Sequence, residues 1–89
     1  MKYFDWSENK NNLLKKERDI SFEEIELAIS EGEVIDILTH PNQKKYKNQK
    51  VFLVKIKDYV WFVPFIEDNE KIFLKTAYPT RKETKKYLK

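Results

Sequence analysis

The sequence predicts an α+β domain made of two N-terminal helices, a four-stranded antiparallel sheet and a C-terminal helix. Three observations carry that expectation. The first third spaces its apolar residues at helical intervals behind serine caps. From Val34 the period changes to the alternation of strands, interrupted by turn residues. After Pro79 a further capping pattern opens a lysine-rich end. Helices first, then a run of strands, then a helix is an α+β order.

Each element has its own signal. Residues 3–6 fit a short strand. Ser7 can cap a helix running to about Glu17, with Leu13 and Leu14 turned inward. Ser21-Phe22-Glu23-Glu24 is a capping box, in which Ser21 and Glu24 satisfy each other's backbone donors. Phe22, Ile25, Ala28 and Ile29 then share one helical face, and Gly32 is the natural stop. Val34–Leu38 reads as the first strand of the sheet and His40-Pro41-Asn42 as a turn. The second strand ends in Val51–Lys57, and Asp58 marks a tight turn. Tyr59–Ile66 is an apolar, aromatic third strand whose Pro64 requires an edge position or a bulge. Glu67–Glu70 is a polar hairpin loop and Lys71–Tyr78 the fourth strand. Pro79 breaks it, and Thr80-Arg81-Lys82-Glu83 caps the final helix.

At 89 residues, positions 1–89 form a single domain, with no room for a second core. Hydrophobic residues make up 40% and aromatics 15%, enough to exclude disorder. Cysteine is absent, whereas small secreted domains usually carry disulfides, so a cytoplasmic location is expected. No secretory signal and no membrane-spanning stretch are expected either, since neither has its apolar run. The net charge is only +3, but it is unevenly spread. Residues 17–36 carry eight acids against Arg18 alone. Residues 44–57 carry six lysines and no acid, and the end from Lys71 is again basic. This asymmetry suits one face for a polyanion and another turned elsewhere; solvated surface lysines are the plainer alternative.

The chemistry open to such a chain is narrow. One His and no Cys cannot build a zinc centre, and the acids lack ligand spacing, so no metal and no cofactor are expected. Gly32 is the only glycine, which excludes a phosphate-cradling glycine loop. Metal-free chemistry by Lys, Arg, Tyr, Thr and the lone His40 remains. Strand alternation puts Lys55 and Lys57 on one face, Lys71 and Lys75 on one face, and Thr76 with Tyr78 on the other. Cations in register can hold a phosphate backbone, although they equally suit the wet side of a half-buried sheet. His40, in a turn, is titratable near neutral pH and suits acid–base work.

The order of short motifs resembles one family. Phe4-Asp5-Trp6, Asn9-Lys10, Asn12-Leu13, Lys16 and Ile20-Ser21-Phe22-Glu23-Glu24 are similar to the opening of BrnT-type toxins. Thr76-Ala77, followed by the basic Lys82–Tyr87, is similar to their C-terminal part. The resemblance spans nearly the whole chain, with residues 40–50 matched least. It implies a RelE-like ribonuclease toxin fold and RNA cleavage without metal. It also implies neutralisation by a cognate antitoxin protein. One departure stands out: Thr76-Ala77-Tyr78-Pro79 occupies the place where such toxins usually carry Ser-Ala-Arg. Arg81, three residues on, is the candidate replacement for the missing cation.

The expected function is therefore a metal-independent endoribonuclease toxin with RNA and an antitoxin as partners. Tyr78, Arg81, His40 and Thr76 are the expected catalytic residues. Lys55, Lys57 and Lys82 are the expected phosphate-binding residues. The competing expectation is a non-catalytic module that holds nucleic acid on the basic sheet or docks a protein on the aromatic third strand.

Overall fold

Local signals set the helices. A computed structural model of the chain describes residues 2–39, 42, 44, 45 and 49–87, with Tyr87 described by its backbone alone. The described elements are β1 (Tyr3–Trp6), α1 (Glu8–Arg18), α2 (Phe22–Ser30), β2 (Val34–Thr39), β3 (Gln49–Ile56), β4 (Tyr59–Glu67), β5 (Lys71–Leu74), β6 (Tyr78–Pro79) and α3 (Arg81–Tyr87). Ser7 accepts from the Lys10 amide, and Ser21 from the Glu24 amide, as N-caps do. Asp19 ends α1 in the left-handed region at φ 54, and its amide donates to the Leu14 carbonyl. Gly32, at φ 83, ends α2 in the conformation that glycine adopts at least cost.

The layout differs from the expected two helices followed by four antiparallel strands. The six described strands form one mixed sheet, in the order β1-β5-β4-β3-β2, with β6 also paired to β4. The helices are interspersed: β1 precedes α1 and joins the sheet parallel to β5, Tyr3 opposite Lys71 and Trp6 opposite Leu74. A parallel partner requires a long crossover, and α1 and α2 lie within it. The class α+β stands; the four-stranded antiparallel sheet, and with it the RelE-like layout, does not.

The expected fourth strand is two. Between the pairs Phe62–Tyr78 and Phe65–Leu74, β4 contributes Val63 and Pro64 while the opposing chain contributes Lys75, Thr76 and Ala77. Two residues against three is a β-bulge. Pro64 explains its place. The Lys75 amide donates to the Pro64 carbonyl at 2.9 Å, so the backbone of Pro64 faces this side, where proline has no N–H to return the bond. Pro64 therefore sits in the central strand at a bulge, not at an edge.

The two faces of the sheet differ in cover. Phe52, Val54, Ile56, Val63, Phe65 and Leu74 pack with Leu14, Ile20, Phe22 and Ile25 beneath α1 and α2. On the opposite face Val51, Leu53 and Val60 form a smaller buried cluster, with Ile35, Leu38 and Phe62 at its margin. Leu13, expected inward, is 47% exposed, and its place is taken by Asn11, which is fully buried. The Asn11 amide oxygen accepts from the Phe22 backbone at 2.8 Å, and its nitrogen donates to Glu23 at 2.8 Å, tying α1 to the start of α2. Among the described residues, no helix is long and apolar enough to cross a membrane.

Candidate nucleic-acid interface

The bulge gathers the functional groups. Thr76 is half-buried within it, between β5 and β6. Tyr78 follows as the first residue of β6, directly opposite Phe62. The two rings stack with centroids 5.2 Å apart and planes 21° apart, and Tyr78 remains 37% exposed. An offset pair of this geometry holds the tyrosine ring in one orientation. Pro79 fixes the exit from β6, and the Thr80 amide donates to the Val60 carbonyl at 3.0 Å.

Thr80 then caps α3, accepting from the Glu83 amide at 3.3 Å. Thr84, one turn on, accepts from the Val60 amide at 2.9 Å and so fastens α3 to β4. Arg81 and Lys82 are exposed in the first turn of α3, immediately after the Tyr78–Pro79 pair. Thr76, Tyr78, Arg81 and Lys82 thus come from one continuous stretch held by the edge of β4.

Sequence reasoning missed a further cation at this place. The Arg18 guanidinium, at the end of α1, donates from Nη1 to the Ala77 carbonyl at 2.6 Å. A guanidinium carries five N–H donors, of which Ala77 takes one. The signal was present: Arg18 is the only base among eight acids in residues 17–36. Its destination, 59 residues away, follows only from the fold.

The lysines expected to share a strand face separate. β3 ends at Ile56, and Lys57 and Asp58 form a turn at φ 54 and φ 61. Lys57 Nζ lies 3.8 Å from Glu24 of α2, an exposed ion pair of little energetic weight. Lys55 pairs across the sheet with Val60 and is half-buried. Both lysines line a shallow depression of about 360 Å³ together with Glu24, Glu31, Glu33 and Asp58. Acids therefore surround the two cations on that side. His40 lies outside the described residues.

On the face that carries Tyr78 and Phe62, register adds Tyr3, Asp5, Lys71 and Phe73. Lys71 Nζ lies 3.4 Å from Asp5 and 5.9 Å from the centre of the Phe73 ring. Among the described residues, no three His, Asp or Glu side chains are grouped to hold a metal ion. No family model, curated protein or solved structure matches the chain.

Proposed function

We propose that this protein is a metal-independent endoribonuclease, the toxin of a toxin–antitoxin pair, acting in the cytoplasm and restrained by a protein antitoxin. The observation that carries the reading is the β5–β6 bulge, which holds Thr76 and Tyr78 close in sequence to Arg81 and Lys82 and whose Ala77 carbonyl accepts from the Arg18 guanidinium. Bulges re-aim side chains beside active sites. The ordered resemblance to BrnT-type toxins supports the same conclusion from the sequence.

The reaction is attack of a ribose 2′-oxygen on the adjacent phosphorus. The new O2′–P bond forms as the P–O5′ bond breaks, leaving a cyclic phosphate and a 5′-hydroxyl. One proton leaves O2′ and one reaches O5′. Tyr78 is assigned to proton transfer and Thr76 to a hydrogen bond on the phosphate; His40, the other expected proton carrier, lies outside the described residues. Arg18 and Arg81 balance the charge that grows on the phosphorane, the term that is usually largest in such sites. Lys82 holds a flanking phosphate, whereas Lys55 and Lys57, which lie among Glu24, Glu31, Glu33 and Asp58, are not assigned one. Arg18 thereby answers the departure from Ser-Ala-Arg: the missing cation comes from α1.

The test is cleavage of RNA by the purified protein in excess EDTA. Tyr78→Phe keeps the ring and its stack on Phe62 and removes the hydroxyl. Proton transfer by that hydroxyl predicts a loss of about 10²–10⁴-fold in rate with folding intact. An unchanged rate in Tyr78→Phe removes the tyrosine from the chemistry, and RNA left intact by the wild type removes the enzyme. The second reading, a non-catalytic binding module, is favoured by the partial exposure of Tyr78 beside Phe62.

A further inference from the structure

β1 and β2 stand at the two ends of the strand order, so each has one side of its backbone that the sheet does not pair. Such edges are templates for a strand of another chain unless something blocks them. The ladder tells which amides point outward. On β1 the Tyr3 amide donates to the Glu70 carbonyl at 3.2 Å, so Tyr3 bonds inward. Inward bonding recurs at alternate residues, which turns the amides of Phe4 and Trp6 outward. On β2 the Lys55 amide donates to the Glu33 carbonyl at 2.9 Å. The same alternation, shifted by one residue at the irregularity between Val34 and Asp36, turns the amides of Ile37 and Thr39 outward.

Both edges carry the same device. The Trp6 amide donates to Asp5 Oδ1 at 2.9 Å, and the Ile37 amide donates to Asp36 Oδ1 at 2.8 Å. In each strand an aspartate stands immediately before an outward amide and takes it with its own carboxylate. Both aspartates fall on the more open face, opposite α1 and α2. Asp36 stands across from Leu53 of the smaller cluster, and Asp5 alternates with Phe4 and Trp6, which pack against the larger one. The two strands differ in length and in the sense of their pairing, so one local pattern does not account for the repetition.

We propose that Asp5 and Asp36 are edge guards. Each occupies a donor that an incoming strand needs, and Asp36 keeps β2 from pairing with β2 of a second copy of this chain.

A second copy is the partner that β2 fits. Asp36 is the only charged residue of Val34–Thr39. Without it the strand is a run of β-branched, aliphatic and hydroxyl side chains with no charge, proline or glycine, the composition that pairs edge to edge. Antiparallel pairing about Ile37 sets the strand against itself: the Ile37 amide and carbonyl meet those of Ile37 in the second copy, and residue 36 meets Leu38. Ile37 is 53% exposed, so this contact takes from water an apolar side chain that folding leaves there. In the native chain the central donor of that pairing is already taken. The carboxylate that takes it also stands where Leu38 of the second copy would pack. The bulge beside Asp36 adds to the block by twisting the edge. On β1 the guard is tied twice, since Asp5 Oδ2 also lies 3.4 Å from Lys71 Nζ.

The test is self-association of the full chain, measured by sedimentation equilibrium. Asp36→Ala removes the acceptor and is expected to associate about tenfold more tightly than the wild type, or more, as the release of one hydrogen bond to a charged group allows. Asp36→Asn removes the charge but keeps an oxygen for the Ile37 amide, and is expected to associate no more tightly than the wild type. Equal association of the wild type and a folded Asp36→Ala overturns the proposal. So does an Asp36→Asn that associates like Asp36→Ala, since the charge and not the occupied donor is then the guard. Amide exchange of the wild type needs no variant to fold. Corrected for the effect of neighbouring residues on intrinsic rates, the Ile37 and Trp6 amides are expected to exchange roughly 10- to 100-fold more slowly than those of Thr39 and Phe4. The latter pair also faces outward but follows Leu38 and Tyr3, which have no carboxylate. Equal rates within these pairs overturn the proposal whatever the variants do.

Discussion

The two faces of the sheet repay comparison. Under α1 and α2, eleven buried residues close into one cluster. On the other face, among the described residues, Val51, Leu53 and Val60 are buried, with Ile35, Leu38 and Phe62 packed at their margin. Both faces are apolar and both bury residues on folding, but among the described residues the helix face buries more of them. Apolar side chains on the covered face contribute to stability by leaving water. Exposed side chains of the other face, such as Tyr3 and Ile66, contribute less to it. The acids of residues 17–36 fall mostly on α2 and its flanks, and the basic C-terminal stretch is tied to β4 through Thr80 and Thr84.

The comparison breaks most visibly at Phe22. It is fully buried, stacks on Trp6 with centroids 5.6 Å apart, and joins the start of α2 to β1. Phe22→Ala is expected to cost about 3–5 kcal/mol, a large share of what a small domain has. Urea unfolding checks it; a loss below 1 kcal/mol would mean that the helix face is not the stabilising one. Next comes Asn11→Ala. The Phe22 amide then loses its buried acceptor, at an expected cost of about 1–3 kcal/mol, read from the shift in urea midpoint. Phe73→Leu, on the open face, is expected to cost under about 1 kcal/mol by the same measurement. A loss as large as that of Phe22→Ala would erase the difference between the faces.

The smallest expected effect concerns acid. The hydrogen bond from Asn11 holds the Glu23 carboxyl below the usual glutamate value of 4.5, helped by its own backbone amide and by Lys15. A lowered folded value means the contribution is complete above pH 4.5 and disappears as the pH falls through the folded value. Glu67, held down chiefly by Lys2, and Asp68, held down by the Glu70 and Lys71 amides, add the same sign at the β4–β5 hairpin. Thermal midpoints should therefore drop on acidification below about pH 4.5, and Glu23→Gln should flatten part of that drop. A midpoint that is level from pH 6 to pH 3 contradicts the assignment.

What could be read from the sequence was local. Ser7, Ser21 and Thr80 are caps that act within three residues, and Gly32 and Pro64 announce a helix end and a bulge by their own backbone chemistry. What escaped was set by partners far along the chain. Nothing in Tyr3–Trp6 states that it pairs parallel to Lys71–Leu74, and nothing in Lys71–Tyr78 states that a proline on β4 divides it. Leu13 and Asn11 show the same limit: hydropathy turns Leu13 inward, whereas the core takes Asn11 because the Phe22 amide needs an acceptor there. At the candidate site, Thr76, Tyr78 and Arg81 were legible because they are neighbours in sequence. Arg18 was not, since its position depends on where α1 ends against the bulge.

The parallel pairing of β1 with β5 carries a consequence for the order of assembly. The β3–β4 hairpin closes over the two-residue turn Lys57-Asp58, so its contacts are local and cheap in loop entropy. Residues 3–6 find their partners only at residues 71–74, after α1, α2 and the antiparallel strands have been brought together. Contacts of such long sequence separation form late and open early. The amides of β1 are therefore expected to exchange with deuterium through a partial opening that spares β3 and β4. In that opened form the outer edge of β5 lies bare, as a strand waiting for a partner.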